Sequence, residues 1–186
     1  SNVFSGRSKD LCVTITIGNL SELEEWKDFL EKDFTQEDFL STSLIILDGI
    51  TTIDDEAFYG CDALINITLP NSLTKIGRYA FRGCDGLTTI TIPDNVHTLG
   101  EYAFWGCSNL FEVNLGTSLI YINGNAFGWC SNLASITVKS DNSHYYSTSN
   151  CLISKSEYSR GNLIVGCKDS IIPTDGSVRS ISSDAF

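Results

Sequence analysis

From Ala57 onward the chain carries apolar and polar positions in an order that returns every 23 residues. Leu64, Leu87, Leu110 and Leu133 each lead into a short alternating run. The runs are Ile67-Thr68-Leu69, Ile90-Thr91-Ile92, Val113-Asn114-Leu115 and Ile136-Thr137-Val138. Alternation with β-branched residues predicts strands that turn one face to a core and one to water. Ser72, Asn95, Ser118 and Asp141 follow, small side chains able to hydrogen-bond turning backbone. A second apolar position stands at Ile53, Ile76, Leu99 and Ile122. Each unit then closes on Ala-Phe-x-x-Cys, at residues 57–61, 80–84, 103–107 and 126–130. A broken further copy, Asp184-Ala185-Phe186, ends the sequence inside a repeat. That reads as a native chain that continues, or as an end with a poor cap.

One such unit cannot bury its apolar face alone. Stacked at about 4.8 Å, each strand pairs with the next and the apolar positions become columns inside one core. The pattern predicts about five coils, with strands centred on Ile46, Thr68, Thr91, Asn114 and Thr137. Phe58, Phe81, Phe104 and Phe127 are expected to be buried and stacked. The return segment from Leu73 to Phe81 is too short for a long helix and should cross as extended chain and a tight helical turn. The line L-x-x-I-x-I at this period is a variant of the leucine-rich-repeat consensus. The expected fold is a mostly β, α/β-class repeat solenoid, right-handed. A parallel sheet covers one face, and short turns or extended segments cover the other.

The fuller pattern, I-T-I-P-x-S-L-x-x-I-G-x-x-A-F-x-G-C-x-x-L, resembles the BspA-like leucine-rich-repeat proteins. Ile67 to Cys84 matches it closely, as does Ile90 to Cys107 with Asn95 in place of Ser, and the likeness runs over roughly residues 44–186. The insert Asn142 to Ser147 is similar to the family. So is Cys151 to Lys155 with Leu163 to Cys167, which reads as a hairpin between repeats, an insert spanning about 140–170. Two places depart from the pattern. Gly128-Trp129 stands where x-Gly is expected, and Leu47 replaces the Pro of the first unit.

Residues 1–43 read as a separate cap before the solenoid of 44–186. Leu11 to Ile17 alternates like a strand. Ser21-Glu22-Leu23-Glu24 is a capping box that opens an amphipathic helix with Leu23, Trp26, Phe29 and Leu30 on its apolar stripe. A strand–helix cap covers the terminal apolar layer that a solenoid otherwise exposes.

Charge and chemistry narrow the function. The 186 residues carry a net charge of -11. Residues 1–62 hold 14 acidic and 4 basic side chains, and the remainder 9 and 8. A phosphate-binding surface needs a basic patch, so nucleic acid and anionic membrane are poor partners. No apolar run is long enough to insert in a membrane. The chain begins Ser1-Asn2 and lacks Met, the mark of a processed or engineered start, so the missing leader does not locate the protein. The periodic Cys61, Cys84, Cys107 and Cys130 read as buried free thiols. Without a C-x-x-C pair they give no support to zinc. Cys151 and Cys167 flank the expected hairpin, and both a disulfide and two thiols fit that spacing. His97 and His144 belong to no hydrolase motif, and Asp54-Asp55-Glu56 lacks EF-hand spacing and reads as a solvated turn. No phosphate-binding glycine motif is present, and no catalytic, metal or cofactor site is expected.

These features point to a non-enzymatic interaction module with a protein partner. The family resemblance implies a secreted or cell-surface protein that engages host, neighbouring-cell or matrix proteins. The alternative is a structural spacer, or ancillary repeat domain, in a larger secreted protein. An enzyme in its own right finds no constellation to support it. On the sheet, outward positions align Asn66, Thr89, Glu112 and Ser135 in one row and Thr68, Thr91, Asn114 and Thr137 in the next. Leucine-rich repeats commonly present this face, so it is the first expected site. The return face, with Tyr79 and Tyr102 at one position and Tyr59, Arg82 and Trp105 at another, is the alternative. The plainer account of those rings is that they cover core edges between coils.

Overall fold

The computed structural model describes residues 12–17, 41–123, 125–155, 161–183 and 185. The expected cap helix lies outside them, and no described residue is helical. The strand before it is present: β1 (Cys12–Ile17) pairs in parallel with β2 (Ser41–Ile46) over its whole length.

The five expected core strands stack in sequence order. After β2 come β4 (Leu64–Thr68), β6 (Thr89–Thr91), β8 (Glu112–Leu115) and β10 (Ser135–Val138). They form two three-stranded parallel runs, β1-β2-β4 and β6-β8-β10. One centre was misplaced. Ile45, not Ile46, lies opposite Thr68, so β2 sits one residue earlier than expected. Ile46 is instead a core residue, 2% exposed.

A second ladder covers the return face. β3 (Thr52–Ile53), β5 (Lys75–Ile76), β7 (Thr98–Leu99) and β9 (Tyr121–Ile122) pair in parallel in that order, giving about four turns of solenoid. Each pairing is in register at 23 residues, so Ile53, Ile76, Leu99 and Ile122 form one column. The turns are tied across coils as well. The Phe58, Phe81 and Phe104 amides donate to the carbonyls of Ala80, Ala103 and Ala126 at 2.7, 2.7 and 2.8 Å. Backbone polar groups are thus satisfied between coils, which lets so short a repeat bury its chain.

Inside, the four phenylalanines stack as predicted. Ring centroids from Phe58 to Phe127 are 5.1, 5.0 and 5.4 Å apart, with planes within 9°. Offset aromatic pairs of this kind add about 0.5–1.5 kcal/mol each beyond burial. Close stacking also limits side-chain size. A Cβ on Gly100 would stand 2.4 Å from the backbone carbon of Gly77 one coil below.

The period ends in an insert. Asn142 occupies the column of Leu73, Val96 and Leu119, and it is buried. Its Nδ2 donates to the carbonyls of Gly116 and Leu119, and its Oδ1 accepts from the amides of His144 and Tyr145. The Tyr145 hydroxyl accepts from Ile122 N and donates to Ile120 O, closing the return ladder at β9. From there β11 (Tyr145–Thr148), β12 (Cys151–Ser154) and β13 (Asn162–Gly166) run antiparallel, and β13 pairs in parallel with β14 (Ser180–Ile181). The expected hairpin is therefore β12–β13.

Candidate functional site

The strand register decides which sequence-predicted residues meet. Thr89, Glu112 and Ser135 are opposite one another across β6-β8-β10, and so are Thr91, Asn114 and Thr137. On the first run Asn66 faces Ser43 and Thr68 faces Ile45, which adds two residues to the rows. Asn66, Thr68, Thr89, Thr91 and Thr137 are exposed, while Glu112, Asn114 and Ser135 are half-buried. The half-burial has a cause: Asn114 donates to Glu112 Oε1 at 2.8 Å and accepts from the Thr137 hydroxyl. These bonds hold one corner of the face in a set geometry.

The face also contains an anchor that the two rows do not include. Phe111 enters β8 directly before Glu112 and is 55% exposed. Its carbonyl accepts from the amides of Ala134 and Ser135, so its position is fixed by the stack. The matching residues are Ile65, Thr88 and Ala134. A position this variable carries no periodic signal. Only the presence of a large ring at a solvent-side position could have marked it.

The return-face residues also come together, as one cluster. Tyr79 and Tyr102 stack at 5.2 Å with planes 9° apart. The Arg82 guanidinium lies 5.5 Å from the Tyr59 ring, 5.3 Å from Tyr79 and 4.5 Å from Trp105. Tyr79 and Tyr102 hold the turn, with φ of 54° and 57°. Non-glycine residues are uncommon there, and the ring stack helps keep them in place. Tyr59 is exposed, but Tyr79, Arg82, Tyr102 and Trp105 are half-buried against each other. Four of these five residues therefore spend part of their surface on one another rather than on solvent.

The fourth turn differs. Gly60, Gly83 and Gly106 sit at φ of 67°, 70° and 74°, and Trp129 takes the same place at 59°. A side chain in this region costs roughly 1–2 kcal/mol. The Gly-Trp order moves the indole off the column of Trp105 and leaves Trp129 78% exposed. The two indoles stay in contact, tilted by 39° with centroids 5.8 Å apart.

The remaining candidates belong to the scaffold. Cys84, Cys107 and Cys130 are buried thiols that donate to the carbonyls of Phe58, Phe81 and Phe104 at 3.0, 3.0 and 3.1 Å. Burial pushes all three upward from the ordinary thiol range, Cys107 to about 12. Such thiols are poor nucleophiles. Cys61 differs from its expected burial and is half-exposed. Cys151 and Cys167 are both buried, and the structure holds them as free thiols. Asp55 accepts the amide of Arg78 at 2.7 Å in an exposed turn, as a solvated turn should. Ser143 lies 2.9 Å from His144 Nδ1, a neighbouring-residue contact on the exposed insert. Among the described residues no group of His, Cys, Asp and Glu is placed to hold a metal, and no helix is long and apolar enough to cross a membrane.

The family model described as a BspA type leucine rich repeat region matches residues 31–157 in 6 copies. Among solved structures, a leucine-rich repeat protein from Eubacterium ventriosum is 17% identical, with 97% of this chain aligned to 53% of that one at a TM-score of 0.62. The pneumococcal vaccine antigen PcpA is 19% identical over 78% of this chain and 42% of its own, at 0.51. Both show the fold. A leucine-rich repeat protein from Bacteroides ovatus is 35% identical, covering 51% of this chain and 24% of its own, at 0.49. The chain thus spans from a quarter to about half the length of these structures. No curated protein matches it.

Proposed function

We propose that this chain, which belongs to the BspA-type leucine-rich repeat family, is a non-catalytic protein-binding module of a secreted or cell-surface protein. Its docking surface is the sheet face. The observation that carries this choice is Phe111, a large ring 55% exposed beside the polar row of Thr89, Glu112 and Ser135. An apolar anchor beside a polar rim is how protein interfaces concentrate binding energy. The Glu112–Asn114–Thr137 bonds support it further, because groups already ordered lose less entropy on docking. Asn66, Thr68, Thr89, Thr91 and Ser135 supply the rim. The partner class is a host, neighbouring-cell or matrix protein, in line with the resemblance to BspA-like surface proteins. Neither nucleic acid nor cofactor has a place in this reading.

The test is binding of the wild type to immobilised extracellular-matrix proteins, followed by variants on the protein bound. Phe111→Ser, Glu112→Lys and Asn114→Arg are expected to weaken binding at least about tenfold. Tyr102→Ala and Trp105→Ala should leave it within about twofold if folded. The opposite ranking moves the site to the return face of Tyr59, Tyr79, Arg82, Tyr102 and Trp105. A wild type that holds none of the panel contradicts the adhesion reading and favours the spacer.

A further inference from the structure

Charge divides unevenly between the two sides of the coils. The sheet strands of residues 41–139 and the turns at their ends hold Asp48, Asp62, Asp85, Asp94 and Glu112 against Lys139 alone, a net of -4. The return ladder and its turns hold Asp54, Asp55, Glu56 and Glu101 against Lys75, Arg78 and Arg82, a net of -1. Further along the sheet face Lys168, whose amide bonds to the Leu133 carbonyl, is followed by Asp169, and the two cancel. The negative excess therefore lies on the side that bears Phe111.

Three observations define what this face takes. First, β6, β8 and β10 pair in register from coil to coil, so their backbone is already engaged and recognition falls to side chains. Second, the cations of the coils are committed elsewhere. Lys139 pairs with Asp94 at 2.7 Å, Arg78 with Glu101 at 3.2 Å, and Arg82 lies among the rings of the return face. Among the described residues no lysine or arginine is paired with Glu112. Third, Glu112 is half-buried and ordered by neutral groups: Asn114 donates to its Oε1 at 2.8 Å and in turn accepts from the Thr137 hydroxyl. A carboxylate placed in this way attracts a cation, and more strongly where a partner displaces water around it. Phe111, directly before it in the chain, puts an exposed ring beside that charge.

An apolar anchor next to an unpaired carboxylate, on the more negative side of the solenoid, calls for a partner surface of the opposite kind. We infer that the sheet face docks a basic segment of its protein partner. A lysine or arginine of that segment pairs with Glu112, and an apolar side chain beside it packs on Phe111. The surrounding aspartates steer the segment to the face. This inference rests on the sheet-face reading and narrows it to one chemistry of partner.

The test is ¹⁵N NMR titration of the full chain with three short peptides. All share one frame of leucine, glycine and serine, and they carry arginine, glutamate or further serine at the same places. The arginine peptide should saturably move the amides of Thr89, Glu112, Asn114 and Ser135 and leave those of Lys75 and Thr98 on the return ladder still. Its affinity should fall as salt rises. Glu112→Gln keeps an oxygen for Asn114 and should fold, yet weaken the arginine peptide at least about threefold and flatten its salt dependence. Phe111→Ser should weaken it at least about tenfold. The inference is overturned if the arginine peptide moves none of these amides, if it shifts the Asp54–Glu56 turn instead, if the glutamate peptide binds as well, or if Glu112→Gln keeps full affinity. The same two variants on a bound matrix protein separate this inference from the reading beneath it. Binding lost in Phe111→Ser but indifferent to Glu112→Gln and to salt removes the basic partner and leaves the face. Binding indifferent to Phe111→Ser removes the face itself.

Discussion

The coils from Phe58 to Leu115 and the insert after Val138 use similar residues and differ in how far their bonds reach. In the coils, side-chain hydrogen bonds other than that of Asn114 to Glu112 join residues 22 to 26 apart, such as Ser72 to Ile50, Arg78 to Asp55 and Cys107 to Phe81. In the insert, Asn142 still bonds back to residues 23 and 26 behind but also forward to residues 2 and 3 ahead, and Asn162 bonds to a residue 20 away. The first region repeats one solution and gains a near-equal increment per coil. The second ends that repetition, and the cost of ending it falls on a few residues, chiefly Asn142 and Tyr145. Just before it, in the fourth turn, Trp129 leaves the column of Trp105 and stands 78% exposed.

The largest expected effect comes from breaking the phenylalanine column. Phe81 is fully buried with a ring on each side, so Phe81→Ala should cost about 3–5 kcal/mol in urea unfolding. A loss under about 1 kcal/mol would mean that the ring is not a core residue. Phe104 is likewise buried between two rings, so Phe104→Ala should cost a similar amount.

Next comes Asn142→Leu, which restores the residue type of the column but strands the amides of His144 and Tyr145. A cost of about 1–3 kcal/mol is expected, with protection lost in the insert first. If the variant is stabilised, the column matters more than the junction bonds.

A smaller, pH-dependent effect follows from the thiols. Burial raises Cys107 from its ordinary 9 to about 12 in the folded chain, and it raises Cys84 and Cys130 as well. The folded state then holds protons that the unfolded chain gives up. Stability from this source is complete below about pH 9 and falls as pH rises towards 12, by at most roughly 1.4 kcal/mol per unit and thiol. The urea midpoint, followed from about pH 8 to 11, should fall less steeply in Cys107→Ala. In native protein these three should also react slowly with a thiol reagent, and Cys61 faster. Smallest of all, Glu112→Lys and Asn114→Arg should change stability by no more than about 0.5–1 kcal/mol, since both sit on the solvent side.

What the sequence made legible follows the same division. The 23-residue spacing of Ala-Phe-x-x-Cys places the strands, the Phe column and the thiols, because every coil votes for the same register. The return ladder β3-β5-β7-β9 was marked only by its apolar residues, since two-residue strands leave no alternation to read. Phe111 and Trp129 occur once each at their positions, and a periodic reading averages such residues away. The Gly128-Trp129 order is visible as a departure. Its result, an exposed indole at positive φ, depends on what the turn demands of its backbone. Likewise the burial of Asn142 depends on the end of a column, which no local pattern announces.

Native-state hydrogen exchange tests this contrast most directly. The amides of Phe81 and Phe104 bond to the next coil at 2.7 and 2.8 Å inside the core, whereas those of His144 and Tyr145 depend on one side chain. The central amides should exchange only through global unfolding, with urea dependence matching it, and the insert should open at lower free energy. Insert amides as protected as the central ones, or more so, would contradict the account of a repeating scaffold that ends at a weaker, more specialised junction.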